Sequence, residues 1–188
     1  MARSAVGSRV TVRGGSSGVK DLAGLALAAD RTWSFTTAAA GGGPTTAYLS
    51  DLAYTVTANG FGPAEKDRSN GEAAAGDGKP LTLASVVYPK GIGAHAASDI
   101  RYGLAGCTTF TVKVGLDDEV GSNGSLSFQI WGDTTKLADS GIMTGASPTQ
   151  TLTVDLTGRS QLRLVADPNG VTYHDHADWA DARLTCTS

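Results

Sequence analysis

The chain reads as all-β, an antiparallel β-sandwich, and three observations predict it. No helical periodicity is sustained beyond about ten residues. Stretches of alternating apolar and polar residues recur at roughly 10–15-residue spacing with turn-forming residues between them. Glycine supplies 25 of the 188 residues while only 18% are charged, a composition suited to many short strands and tight turns.

Composition also narrows the function. A formal charge of -3 without a Lys/Arg cluster argues against a nucleic-acid backbone as partner, because phosphate binding needs concentrated positive charge. No apolar run approaches the ~18 residues of a membrane-spanning helix. The opening MARSAVGSRV lacks the apolar centre of a signal peptide, so either an export signal lies upstream in a longer parent protein or the chain stays in the cytoplasm. Cys107 and Cys186 are too few for a zinc site. Two readings stand for them: a disulfide closing a loop of about 80 residues, worth ~4 kcal/mol in the entropy model, or two buried thiols. A secreted setting favours the bond.

In chain order, residues 10–15 (VTVRGG) and 31–38 (RTWSFTTA) form two short strands, and residues 38–44 (AAAGGGP) read as a linker closed by Pro44. The expected division is 1–43 and 44–188. The second part opens on apolar residues at Tyr48, Leu49, Leu52 and Tyr54 to Val56. The stretch from Asn59 to Lys79 is a long polar loop of the kind that usually serves a function. It offers oxygen donors that calcium accepts, at Asp67, Ser69, Asn70 and Asp77.

Leu81, Leu83 and Val86 to Tyr88 form a strand, Pro89 to Gly93 a turn, and Ala94 onward a strand that carries His95. Phe110, Val112, Val114 and Leu116 share one face of the next strand. Residues 124–143 make a hairpin with Leu126, Phe128 and Ile130 inward and Gly132-Asp133 near the turn. Residues 150–158 and 161–168 follow the same period-2 rule and are joined by a short turn.

The densest chemistry lies in residues 173–182, YHDHADWADA. Buried carboxylates and imidazoles need partners, so this concentration points to a ligand site, where aromatics cover an apolar face and His and Asp supply directional hydrogen bonds. A polar turn leading into a last strand is the plain alternative. Catalysis by paired carboxylates has only Asp117 with Asp118, or Asp175 with Asp178, as candidates. Adjacent strand residues point to opposite faces, which disfavours the first pair.

The ordered series YLSDL (48–52), KGIGAHAASDIRYGL (90–104), Phe110 to Asp118, SLSFQIWGD (125–133), DSG (139–141), VDLTG (154–158), LRLVADP (162–168) and DHADWADARL (175–184) resembles the NPCBM domain, the family 51 carbohydrate-binding module. Asp21 to Leu27 and Trp33 to Thr37 resemble the end of a bacterial immunoglobulin-like domain. The first resemblance implies a galactose-binding-domain-like jelly roll, non-catalytic and monomeric, that targets a secreted parent enzyme to galactose-containing glycans. The alternative is a structural or protein-interaction module.

The expected sugar contacts are Trp179 or Tyr173 over the ring face, His95, His176 and Asp178 on hydroxyls, and Lys90 at the rim. If the last strand begins at His176, then His176 and Asp178 share one face and Trp179 and Asp181 the other, so one set binds sugar while the other packs or binds metal. Related galactose-binding sandwiches hold calcium between an early loop and the last strand, which makes Asp67 and Asp181 the metal candidates.

Overall fold

A computed structural model describes residues 7–36, 43–71 and 73–187. The chain divides into two units, Met1–Gly42 and Gly43–Ser188. In the first, β1 (Gly7–Val12) pairs antiparallel with β2 (Arg31–Thr36). Val10 and Trp33 face each other across that pair and both stay exposed. The linker read at 38–44 lies outside the described residues except for Gly43 and Pro44.

The second unit contains β3 (Thr45–Tyr48), a short 3-10 turn (Leu49–Asp51), β4 (Thr55–Ala58), β5 (Glu65–Lys66), β6 (Leu81–Leu83), β7 (Val86–Tyr88), β8 (Gly91–His95) and β9 (Ser98–Gly103). It continues through β10 (Cys107–Leu116), a 3-10 turn (Asp118–Val120), β11 (Ser125–Gly132), β12 (Thr135–Thr144), β13 (Gln150–Asp155), β14 (Gln161–Pro168) and β15 (His176–Cys186). One sheet runs β13-β10-β15-β8-β5, with β3 also paired to β15; the other runs β12-β11-β14-β9-β4. All the pairings are antiparallel.

Period-2 patterning builds the core between the sheets. Phe110, Val112 and Val114 of β10 face Leu126, Phe128 and Ile130 of β11 and Leu162 and Leu164 of β14 in one buried cluster. A disulfide joins Cys107 to Cys186, clamping the start of β10 to the end of β15.

One sequence expectation is corrected here. Strand β8 begins at Gly91, inside the segment expected to be a turn. Its glycines serve close approach: a Cβ on Gly93 would lie 2.4 Å from the Arg68 carbonyl oxygen and 2.5 Å from the Asn70 nitrogen. The long loop therefore packs onto the outer face of β8, which is buried from Gly91 to His95. Residues 150–158 and 161–168 are neighbours in sequence but belong to different sheets, β13 beside β10 and β14 beside β11 and β9.

Candidate functional site

Strand pairing puts His176 directly opposite His95, and their rings meet edge to face at 5.4 Å between centroids. The His95 Nδ1 stands 2.8 Å from the Ala96 carbonyl oxygen. A carbonyl can only accept, so Nδ1 carries the proton and Nε2 of the neutral ring holds a lone pair. The His176 Nδ1 likewise bonds Glu119 Oε1 at 2.8 Å. Among the described residues neither Nε2 has a protein hydrogen-bond partner. Burial raises the Glu119 carboxyl, but the hydrogen bonds from His176 and Ser69, the His176 charge and Lys79 together hold it below the usual range.

The long loop completes this corner. Asn59 Oδ1 accepts from the His95 backbone N–H at 2.9 Å, while its Nδ2 donates to the carbonyls of Phe61 and Gly62 and to Asn70 Oδ1. Asn59 is thus spent on shaping the loop. Its product is Phe61, which is 47% exposed and lies 6.0 Å edge-on from the His95 ring. Gly60 allows this approach, since a Cβ there would sit 2.0 Å from the Ala96 carbonyl oxygen. Behind the imidazoles Asp175 is fully buried, accepting from Ser125 N–H at 2.7 Å. Burial is the chief cause that raises its pKa.

The residues expected to form the site are divided by the fold. His95 and His176 come together, and Tyr173, 79% exposed, stands in the turn three residues before His176. Trp179 is fully buried, its ring edge-on to Phe128 at 5.0 Å. It cannot cover a sugar face because it faces the core. Phe61 offers the exposed ring instead.

Asp178 shares the outer face with His176, as period-2 geometry requires, but the long loop and β6 cover it completely. Burial first, then the charge of Asp117, pushes its pKa well above the usual carboxylate range. Neither Asp178 oxygen has a hydrogen-bond partner of good geometry among the described residues, and Asp117 beside it accepts from Thr82 N–H at 2.9 Å. That carboxyl pair is structural, and Asp178 does not reach a sugar.

Lys90 stands at the opposite end of β8 from His95, about 16 Å away at ~3.3 Å per residue. It is committed to Asp51 and Asp67, at 2.5 and 3.0 Å. A single hexose cannot bridge both ends, so Lys90 leaves the rim of this site.

The two residues expected to hold calcium each have partners within the protein. Asp67 is held by the Lys90 ammonium and by the Gly91 N–H, and Asp181, in a bulge of β15, bonds Arg183 at 2.8 Å. Among the described residues no group of three or more His, Cys, Asp or Glu has an arrangement able to hold a metal ion.

A separate hollow of about 260 Å³ lies between Leu83, Leu116 and the turn at residues 145–149. Asp118 lines it, but its carboxylate is occupied by the N–H groups of Ala84 and Ser85.

Sequence reasoning missed Phe61, Asn59 and Glu119. An aromatic between two glycines in a long loop was the available sign for Phe61. Nothing in the sequence marks Glu119 as the partner of His176, because the pairing depends on the turn after β10.

Comparisons with known proteins agree with this architecture. The family model described as the NPCBM/NEW2 domain matches residues 45–185. A Renibacterium salmoninarum protein provisionally named endo-alpha-N-acetylgalactosaminidase is 43% identical over 144 residues, covering 75% of this chain. The matched region spans only 10% of that relative's length.

Among solved structures, the CBM51 of Clostridium perfringens GH95 in complex with methyl-galactose is 36% identical. It covers 74% of this chain and 99% of that one, with a TM-score of 0.67. The CBM51-2 and INT domains of Clostridium perfringens ZmpB, solved with GlcNAc, are 26% identical over 98% of this chain and 38% of that one, with a TM-score of 0.68.

Proposed function

Because the chain belongs to the NPCBM/NEW2 domain family, we propose that it is a non-catalytic carbohydrate-binding module for galactose-type residues, seated against Phe61, His95 and His176. The observation that carries this reading is the pair of apposed imidazoles, each with Nδ1 committed to the protein and Nε2 left over, beside a half-exposed phenyl ring. A hexose presents hydroxyls of fixed direction and an apolar C–H face, and this corner matches both. Tyr173 flanks it from the preceding turn.

The acidic groups support a role without catalysis. Asp117 and Asp178 are buried against each other, Asp118 holds a turn and Asp175 holds β11. None of these is an open pair flanking a cleft, as glycoside hydrolysis requires. The module serves a larger secreted enzyme of the glycoside hydrolase class, a reading supported by the small share of the matched relative that it spans. The Cys107–Cys186 disulfide suits an oxidising compartment.

Calorimetric titration with methyl galactoside and with GlcNAc tests the proposal. Galactoside binding is expected for the parent, with Phe61→Ala and His95→Ala each weakening it about tenfold, ~1.4 kcal/mol. A folded parent that binds neither sugar on titration, nor any glycan on an array, removes the reading and leaves the protein-interaction alternative.

A further inference from the structure

Two distant segments of the second unit place a carboxylate on one ammonium group, and β15 bonds the backbone beside it. Lys90 Nζ donates to Asp51 Oδ1 at 2.5 Å, at the 3-10 turn after β3, and to Asp67 Oδ2 at 3.0 Å, in the long loop. The neighbouring backbone tightens the junction. Asp67 N–H donates to the Gly91 carbonyl and Gly91 N–H returns a bond to Asp67 Oδ1, while Asp181 N–H in β15 donates to the Lys90 carbonyl. Asp67 holds a left-handed conformation, φ 59°, to make both contacts. The Ser50 hydroxyl lies beside Asp67, in a residue only 4% exposed, without a partner of good hydrogen-bond geometry among the described residues.

We infer that Lys90 is the built-in cation of this junction, occupying with its side chain a seat whose remaining donors are all oxygens, and so making the fold independent of bound divalent metal. An ammonium brings three donors and one positive charge to two carboxylates. Without it, Asp51 and Asp67 would face each other uncompensated beside the Ser50 hydroxyl. That set of hard oxygen ligands is of the kind calcium accepts.

A second lysine works on the same turn, Lys66 Nζ donating to the Leu52 carbonyl at 2.7 Å. Both lysines keep the early loop in place, and the chain from Asp67 through Asn70 leads to Asn59, which positions Phe61. The charge is secure at neutral pH. The hydrogen bonds to Asp51 and then Asp67 raise the Lys90 pKa above the ordinary lysine value. Burial would raise Asp67, but Ser50, Lys90 and the Gly91 N–H together lower it.

Thermal melting of the full chain in millimolar calcium and in chelator tests the inference, and its readout does not depend on sugar binding. The parent Tm is expected to be the same in both. Lys90→Ala should melt lower in chelator, by roughly 3 °C or more, and calcium should recover part of that loss. Calorimetry should then detect calcium binding to the variant and not to the parent. Lys90→Met, which retains the apolar stem, is the second variant if K90A does not fold; the parent comparison stands in either case. A parent stabilised by calcium overturns the inference, as does a folded variant that melts like the parent or ignores calcium.

Discussion

At its first residues β8 sits beside a lysine enclosed by two aspartates, and at its last it presents a histidine beside a second histidine and an exposed phenyl ring. Both ends hold ionisable side chains brought in from distant parts of the chain. At the Lys90 end the ammonium and the two carboxylates are engaged with one another, so the charges fix the loop. At the His95 end each ring has one nitrogen committed to the protein and, among the described residues, one uncommitted, so the rings are oriented by a single bond each. On the proposed reading, orientation by one bond with the opposite atom left over is what separates a recognition group from a structural one.

The strongest way to break this comparison is to exchange roles along β15. Trp179→Ala removes a fully buried ring packed on Phe128 and is expected to cost about 3–5 kcal/mol of stability. Denaturant unfolding measures it. A loss of galactoside affinity at unchanged stability would instead place Trp179 at the ligand, against the structure.

A smaller effect sharpens the histidine end. Burial first lowers the His95 pKa below its ordinary 6.5, and the nearby His176 and His174 lower it further, while the Ala96 carbonyl and Asp175 oppose them. The neutral ring offers an Nε2 lone pair, and protonation converts that acceptor into a donor. Galactoside affinity should therefore stay level from neutral pH down to about 6.5, then fall below it by up to about tenfold per pH unit. Titrations across that range check it, with His95→Ala losing the dependence.

The smallest effect concerns the covered face between the two ends. Asp178 has a folded-state pKa raised above its unfolded value, so its contribution is most favourable below the unfolded pKa. As pH rises from there toward the folded value, the unfolded chain releases a proton that the folded chain keeps. Stability then declines by at most about 1.4 kcal/mol per pH unit. Asp178→Asn removes the titrating group and with it this slope, for an expected gain of about 1 kcal/mol at neutral pH. Equal pH slopes for parent and variant would refute the raised Asp178 pKa.

Much of the fold is legible because strand periodicity is local. Phe110, Val112 and Val114 alternate in sequence and are buried together, as are Leu126, Phe128 and Ile130. The His176-to-Asp178 alternation correctly separated those residues from Trp179. The pattern does not reveal what covers an outward face. Asp178 and His176 point the same way, yet loop backbone and β6 bury the first and leave the second at the edge.

Residue order alone therefore specified a glycine-rich, period-2 chain that must close into a sandwich, and it concentrated His, Asp and aromatics at the start of the last strand and in the turn before it. The tertiary structure decided which of them can meet a ligand. Strand register joined His176 to His95 across 81 residues of sequence, sheet packing turned Trp179 inward, and the loop from Asn59 supplied Phe61. Each outcome depends on contacts between segments far apart in the chain, and local propensity carries no record of such contacts.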